Sequence, residues 1–208
     1  MTVVHLSPPR RAHCPRCVRP VSACVCRWVV PVSTSVDLLI LQHPMEVNNA
    51  KGSARLLHLS VRGSTMLAGE TFDPPQLRAA LYGGGRVPVL LYPDTPGQAA
   101  LGIAAAPALP SGLEAQAIRL VVLDGTWRKS RKMLYLNPLL QALPRLPLRD
   151  MGASRYSIRK AHAPDQLSTL EASCHALSQL DGDMDKFGVV SDSFAAFVDH
   201  FIAHQGKL

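Results

Sequence analysis

An acid, a hydroxyl and an indole stand together at Asp124, Thr126 and Trp127, and four cations follow at once at Arg128, Lys129, Arg131 and Lys132. A carboxylate can take a proton from a poor nucleophile. An indole can stack on a nucleobase, and clustered Lys and Arg attract phosphate. A second set lies at the other end of the chain. Cys14-x2-Cys17 and Cys24-x-Cys26 supply four thiols within thirteen residues. Two closely spaced pairs can close a tetrahedron around Zn2+, and a closed four-thiolate site is structural rather than catalytic. Cations beside the pairs, Arg16, Arg19 and Arg27, favour thiolate. With Trp28 they form a second candidate contact area for nucleic acid. Cys174 stands alone on an apolar helical face and reads as core.

These residues need a scaffold. The run 118–123 is apolar and β-branched, which predicts a buried strand whose carboxyl end carries Asp124. Residues 36–41 and 87–92 predict two more strands, and 156–159 a short fourth one. Helical spacing covers 48–60, 75–82, 127–136, 167–181 and 191–204. Residues 95–115, rich in Pro, Gly and Ala, read as a loop. Strands alternating with helices predict an α/β domain, a mostly parallel sheet with helices on both faces. Such sheets bind ligands just past the carboxyl ends of their strands. Pro31 and Ser33-Thr34-Ser35 look like a linker. The expected division is therefore a cysteine module over 1–32 and the α/β domain over 33–208.

Composition narrows the partners. The net charge is +7 and the pI about 9.5, which favours acidic partners, nucleic acid first. No run approaches the roughly 20 apolar residues of a membrane span. The first 27 residues lack the apolar core of a secretion signal. The expectation is a cytoplasmic protein, where clustered thiols point to metal rather than disulfide.

Three further clusters accompany Asp124-Gly125-Thr126-Trp127: Gln42-His43-Pro44-Met45-Glu46 with Asn48-Asn49, Leu91-Tyr92-Pro93, and Ser157-Ile158-Arg159-Lys160 followed by Leu167-Ser168-Thr169-Leu170-Glu171-Ala172. In this order, with the cysteine cluster, they resemble the DTW-domain family over nearly the whole chain. The resemblance implies a tRNA-uridine aminocarboxypropyltransferase. Such an enzyme moves the 3-amino-3-carboxypropyl group of S-adenosylmethionine to uridine N3. It also implies a fold related to the knotted SPOUT methyltransferases. Leu91, Tyr92, Pro93, Leu123, Thr126, Trp127, Ser168, Thr169 and Glu171 become candidate donor contacts, and Asp124 the candidate base.

Each residue also has a plainer reading. Asp124 or Thr126 could simply cap the following helix. Trp127, Leu91, Tyr92 and Leu123 could be core. Ser168 and Glu171 have the spacing of a capping box, and His43 could be hydrogen-bonded structure. Arg128, Lys129, Arg131, Lys132, Arg155, Arg159 and Lys160 could be a solvated face, although few acids adjoin the 128–132 run in sequence, which favours phosphate. Two other functions stay open: an RNA methyltransferase using the same donor, and a zinc-bearing RNA-binding protein with no chemistry. A monomer and a homodimer are equally compatible with the sequence.

Overall fold

The computed structural model describes residues 12–49, 52–93, 102–103, 105–148, 167–183 and 185–205. Five strands form one sheet: β1 (Asp37–Gln42), β2 (Thr65–Ala68), β3 (Val87–Leu91), β4 (Ile118–Asp124) and β5 (Arg145–Leu146), in the order β2-β1-β4-β3-β5. Every neighbouring pair is parallel. The helices are α1 (Ala54–Ser60), α2 (Pro74–Tyr82), α3 (Trp127–Leu136), α4 (Pro138–Gln141), α5 (Thr169–Asp181) and α6 (Gly188–Gln205). Among the described residues, no helix is long and apolar enough to cross a membrane.

The period-2 pleat sorts the sheet's side chains onto two cores. Leu38, Ile40, Leu120 and Val122 face a core closed by α1, α5 and α6. Leu39, Leu41, Val121 and Leu123 face a second core closed by α2, α3 and α4. Both faces of β1 and β4 are thus buried, which is why these strands read as unbroken apolar runs. Helices cover both faces, as expected. The cysteine segment does not stand apart from this body: Cys17 and Val25 are buried in the first core with Phe194 and Phe197 of α6.

Some boundaries differ from the sequence expectation. The helix expected over 48–60 begins only at Ala54, because a 3-10 turn (Pro44–Glu46) and the segment through Gly52 come first. Pro138 opens α4, where its fixed φ and missing N–H suit a first helical position. β2 and β5 are short edge strands that periodicity did not mark. The strand expected at 156–159 lies outside the described residues, as do Arg155, Arg159 and Lys160.

The connections create one place of divergence. The chain leaving β1 travels to β2 on one side, and the chain leaving β4 travels past β3 to β5 on the other. Between two strands whose exits part in this way a crevice opens at their carboxyl ends. Gln42 and Asp124 are the register partners there.

Candidate active site and cysteine centre

Asp124 ends β4 with its side chain 4% exposed. A carboxylate so buried must be satisfied by donors. Gln42 Nε2 donates to its Oδ2 at 2.9 Å, and Thr169 Oγ1 donates to its Oδ1 at 2.7 Å. The Asp124 carbonyl accepts from His43 N–H at 2.9 Å. Three segments far apart in sequence, the ends of β1 and β4 and the start of α5, therefore meet on one acid. Asp124 does not cap α3. That cap is Thr126, whose Oγ1 faces the Lys129 N–H at 3.4 Å. A Cβ at position 125 would lie 3.1 Å from Lys129 Cβ, so glycine keeps the turn between strand and helix tight.

Ser168 and Glu171 form a reciprocal capping box at the start of α5: Ser168 N–H donates to Glu171 Oε2 at 2.8 Å, and Glu171 N–H to Ser168 Oγ at 3.2 Å. The box fixes the turn that presents the Thr169 hydroxyl to Asp124. Ser53 Oγ secures the same turn by accepting from Leu170 N–H at 3.2 Å.

Trp127 is 50% exposed, which removes plain core packing as its account. Its ring meets Tyr92 edge-on, with centroids 5.9 Å apart and planes at 76°. Tyr92 is buried, and the Arg145 guanidinium lies 5.4 Å from its ring centroid. Leu123 and Leu91 contribute their side chains to the two cores, and Pro93 continues the turn after β3. Beside this group a cleft of about 560 Å³ opens between residues 106–109, Arg145–Leu146, Pro147 and the end of α5. Its volume is in the range of small-molecule sites. None of the candidate donor contacts lines it; its links to them are Leu146, which pairs with Leu91, and Arg145, whose guanidinium faces the Tyr92 ring.

The cations of α3 divide into two pairs. Lys129 Nζ lies 2.8 Å from Glu46 Oε1, and Lys132 Nζ lies 2.9 Å from Glu70 Oε2. The expectation that acids are scarce around this stretch is therefore corrected: the turn after β1 and the segment after β2 bring two. Arg128 and Arg131 are exposed, and no acid pairs with either among the described residues. Glu70 also accepts from His43 Nε2 at 2.9 Å. Its carboxyl is held below the usual range, first by Lys132 and then by His43. His43 Nδ1 accepts from Met45 N–H at 3.2 Å, so the ring proton sits on Nε2 and both nitrogens are engaged. Sequence reasoning missed the Lys129–Glu46 and Lys132–Glu70 pairs because the partners are remote. Gln42 was noticed, but only the β1–β4 register reveals its bond to Asp124.

The four cysteine sulfurs lie within 4.8 Å of one another. Cys14 and Cys26 approach to 3.6 Å, and Cys17 and Cys24 to 3.7 Å. Four sulfurs about 2.3 Å from a central Zn2+ would sit about 3.8 Å apart in a regular tetrahedron, whereas a disulfide needs about 2.05 Å. The spacing suits a metal and not a crosslink. Amides of Cys17 and Arg16 lower the Cys14 thiol to about 6. Burial and then the Cys14 thiol push Cys26 up to about 12. Cys24 is pulled down by the Cys26 amide, yet burial and the Cys14 and Cys17 thiols leave it raised. A shared cation is what would hold all four as thiolates. Arg19, expected beside Trp28 as a nucleic-acid contact, is instead 4% exposed and points inward. Arg27 is exposed, with its guanidinium 4.7 Å from the Trp28 ring centroid.

Comparison with known proteins sets this geometry in a family. The model of the DTW domain matches residues 11–202. The chain is 31% identical over 183 residues to a macaque (Macaca fascicularis) protein named tRNA-uridine aminocarboxypropyltransferase 2, covering 83% of this chain and 57% of that one. It is 30% identical over 180 residues to the Drosophila melanogaster protein of the same name, covering 84% and 68%. A plant relative, tRNA-uridine aminocarboxypropyltransferase A of Arabidopsis thaliana, is 27% identical over 158 residues, covering 70% and 56%. The chain thus spans between about half and two thirds of the length of these relatives. No solved structure matches it. With Asp124-Gly125-Thr126-Trp127 at the centre of the matched span, the chain belongs to the DTW-domain family.

Proposed function

We propose that this protein is a tRNA-uridine aminocarboxypropyltransferase, moving the 3-amino-3-carboxypropyl group of S-adenosylmethionine to N3 of a tRNA uridine. The observation that carries the reading is the convergence of Gln42, Thr169 and the His43 amide on a buried Asp124 at the sheet's switch point. The names of the relatives supply the reaction class.

Uridine N3 bears a proton and attacks poorly until the proton leaves. Asp124 accepts that proton. Gln42 and Thr169 keep the carboxylate oriented, one on each oxygen. The N3 electron pair forms a bond to the γ-carbon of the donor's methionine portion. The C–S bond breaks with its electrons going to sulfur, and neutral methylthioadenosine leaves. Choosing the γ-carbon over the methyl is a matter of orientation. Tyr92, Pro93, Thr126, Trp127, Ser168, Thr169 and Glu171 surround the donor, with Leu91 and Leu123 acting through their backbone. Trp127 offers an exposed face to a base, a stacking contact usually worth about 1–3 kcal/mol. Arg128 and Arg131, with Arg155, Arg159 and Lys160, meet phosphates, whereas Lys129 and Lys132 are held by Glu46 and Glu70.

The four cysteines hold Zn2+ in a structural role, supported by the sulfur spacing. The SPOUT-like relation of the fold belongs to the same reading. Its support is the strand order, together with the return of the chain from edge strand β5 to place Thr169 beside β4. The protein works in the cytoplasm, as a monomer or homodimer.

The co-product tests the reading. Purified protein with tRNA and S-adenosylmethionine is expected to release methylthioadenosine only when tRNA is present. Release of S-adenosylhomocysteine would make it a methyltransferase, and tRNA binding without any donor consumption would make it a binding protein.

A further inference from the structure

Arg19 sits between the two cysteine pairs, yet its side chain leaves the cysteine loop. The loop holds its backbone, because Cys14 N–H donates to the Arg19 carbonyl at 2.8 Å. Its guanidinium Nη2 donates to the carbonyl oxygens of Asn49 at 2.9 Å and Gly52 at 2.7 Å, in the segment between β1 and α1. Its Cζ also lies 5.6 Å from the Phe197 ring centroid. A guanidinium this buried is held firmly, because losing a partner leaves a desolvated charge. Gly52 keeps the approach open: a Cβ there would lie 3.2 Å from the Asn49 carbonyl oxygen and 3.8 Å from Arg19 Nη2.

Two routes run from the clamped segment to the candidate active site. Asn49 Nδ2 donates to Glu46 Oε2 at 2.7 Å, and the other oxygen of Glu46 pairs with Lys129 in the first turn of α3. Ser53, next after Gly52, accepts from Leu170 N–H. The neighbouring Thr169 hydroxyl holds Asp124.

We infer that Arg19 is a positioning residue that couples metal loading of the four cysteines to the geometry around Asp124. An ordered cysteine loop holds the guanidinium, the guanidinium holds the 49–52 carbonyls, and these hold Ser53 and Glu46 against α5 and α3. Metal then tunes the site without touching substrate. Both carbonyls accept from Nη2, whose two N–H bonds are fixed in the guanidinium plane, and a lysine ammonium offers a point charge with no such fixed plane. The kinetic consequence rests on the transferase reading, but the structural one does not.

The test is hydrogen exchange at the Leu170 amide in the full chain, with metal content measured in parallel. Chelating wild-type protein is expected to raise exchange there about tenfold, within the ~5–150-fold usual for coupled sites. Arg19→Gln is expected to give the same rise with metal still bound, and chelation then adds little. Arg19→Lys should fall between the two. If Arg19→Gln does not fold, Gly52→Ala presses on the same clamp from the far side. It should raise Leu170 exchange while leaving the cysteine loop protected. Wild-type exchange at Leu170 in metal-bound Arg19→Gln, or in Gly52→Ala where the first variant fails, would overturn the inference. Where transfer is observed, Arg19→Gln lowers kcat and leaves the KM for tRNA unchanged. Absence of transfer in wild-type protein would count against the transferase reading alone, since the exchange readout needs no reaction.

Discussion

Asp124 and the four cysteines are both polar clusters in a largely apolar body, and they reach satisfaction by opposite means. Asp124 has neutral donors on both oxygens, from Gln42 and Thr169, so its charge is stabilised by the polypeptide alone. The thiols have chiefly one another, and burial together with a neighbouring thiol makes ionisation harder, as the raised Cys26 shows. The first site is therefore preorganised by folding, whereas the second needs an external cation to complete it. Substitution at each should separate them.

The largest effect is expected at Asp124. Asp124→Ala should lower transfer by about 10²–10⁴-fold, the usual weight of a general base. Affinity for tRNA should be unchanged, since the acid is buried and is not one of the cations that attract phosphate. Single-turnover rates with saturating tRNA, beside a binding titration, check both parts. Retained turnover would take Asp124 out of the chemistry.

Cys14→Ser should act on stability instead. A metal present at a thousand times its Kd stabilises by about 4 kcal/mol. At about 2–4 °C per kcal/mol for a chain of this size, thermal unfolding should occur roughly 8–16 °C lower. Wild-type protein treated with a chelator should match the variant. An unchanged melting temperature in a metal-free variant would count against a structural metal.

The cations of α3 offer a finer version of the same contrast, between charge already paired and charge facing solvent. Arg128→Ala with Arg131→Ala should make tRNA binding less salt-sensitive, its log–log slope shallower by about 1.4 if each arginine meets one phosphate of a single strand. Lys129→Met should instead destabilise the fold by about 1–3 kcal/mol. It removes the cation from Glu46, which is 4% exposed and keeps the Asn49 amide, although Lys129 itself is partly in water. Affinity measured across a salt series, with melting curves for each variant, tells the two apart. Equal salt slopes for both would dissolve the distinction.

The smallest effect concerns Glu70. Its folded pKa is depressed by Lys132 and His43. The resulting stability is present above the unfolded value and is lost as pH falls through the folded one. Relative to Glu70→Gln, wild type should thus lose melting temperature between neutral pH and values below the ordinary 4.5. A constant difference across that window would show that Glu70 contributes no pH-linked stability.

What sequence could and could not disclose follows from range. β1, β3 and β4 were legible because burial on both faces leaves only apolar residues in their interiors, and α3 because Asp124-Gly125-Thr126 supplies a turn and a cap beside a polar helix. β2 and β5 were not, since short edge strands impose little pattern, and Pro144 and Pro147 flank β5. Asp124, Thr126 and Trp127 could be picked out locally. The bond from Gln42 to Asp124 spans 82 positions, and only the β1–β4 register brings the pair together. The same holds for Lys129 with Glu46, and for Arg19, whose sequence setting among cysteines suggested nucleic acid while its burial makes it a clamp.

The central claim is that Asp124 enables a uridine ring nitrogen to take a carbon chain from a sulfonium donor. Mass spectrometry of nucleosides from tRNA incubated with S-adenosylmethionine and either wild-type protein or Asp124→Ala tests it most directly. A uridine carrying the aminocarboxypropyl group should accumulate with wild type and be missing with the variant. A methyl-sized increment, an increment on another nucleoside, or equal product from both proteins would contradict it.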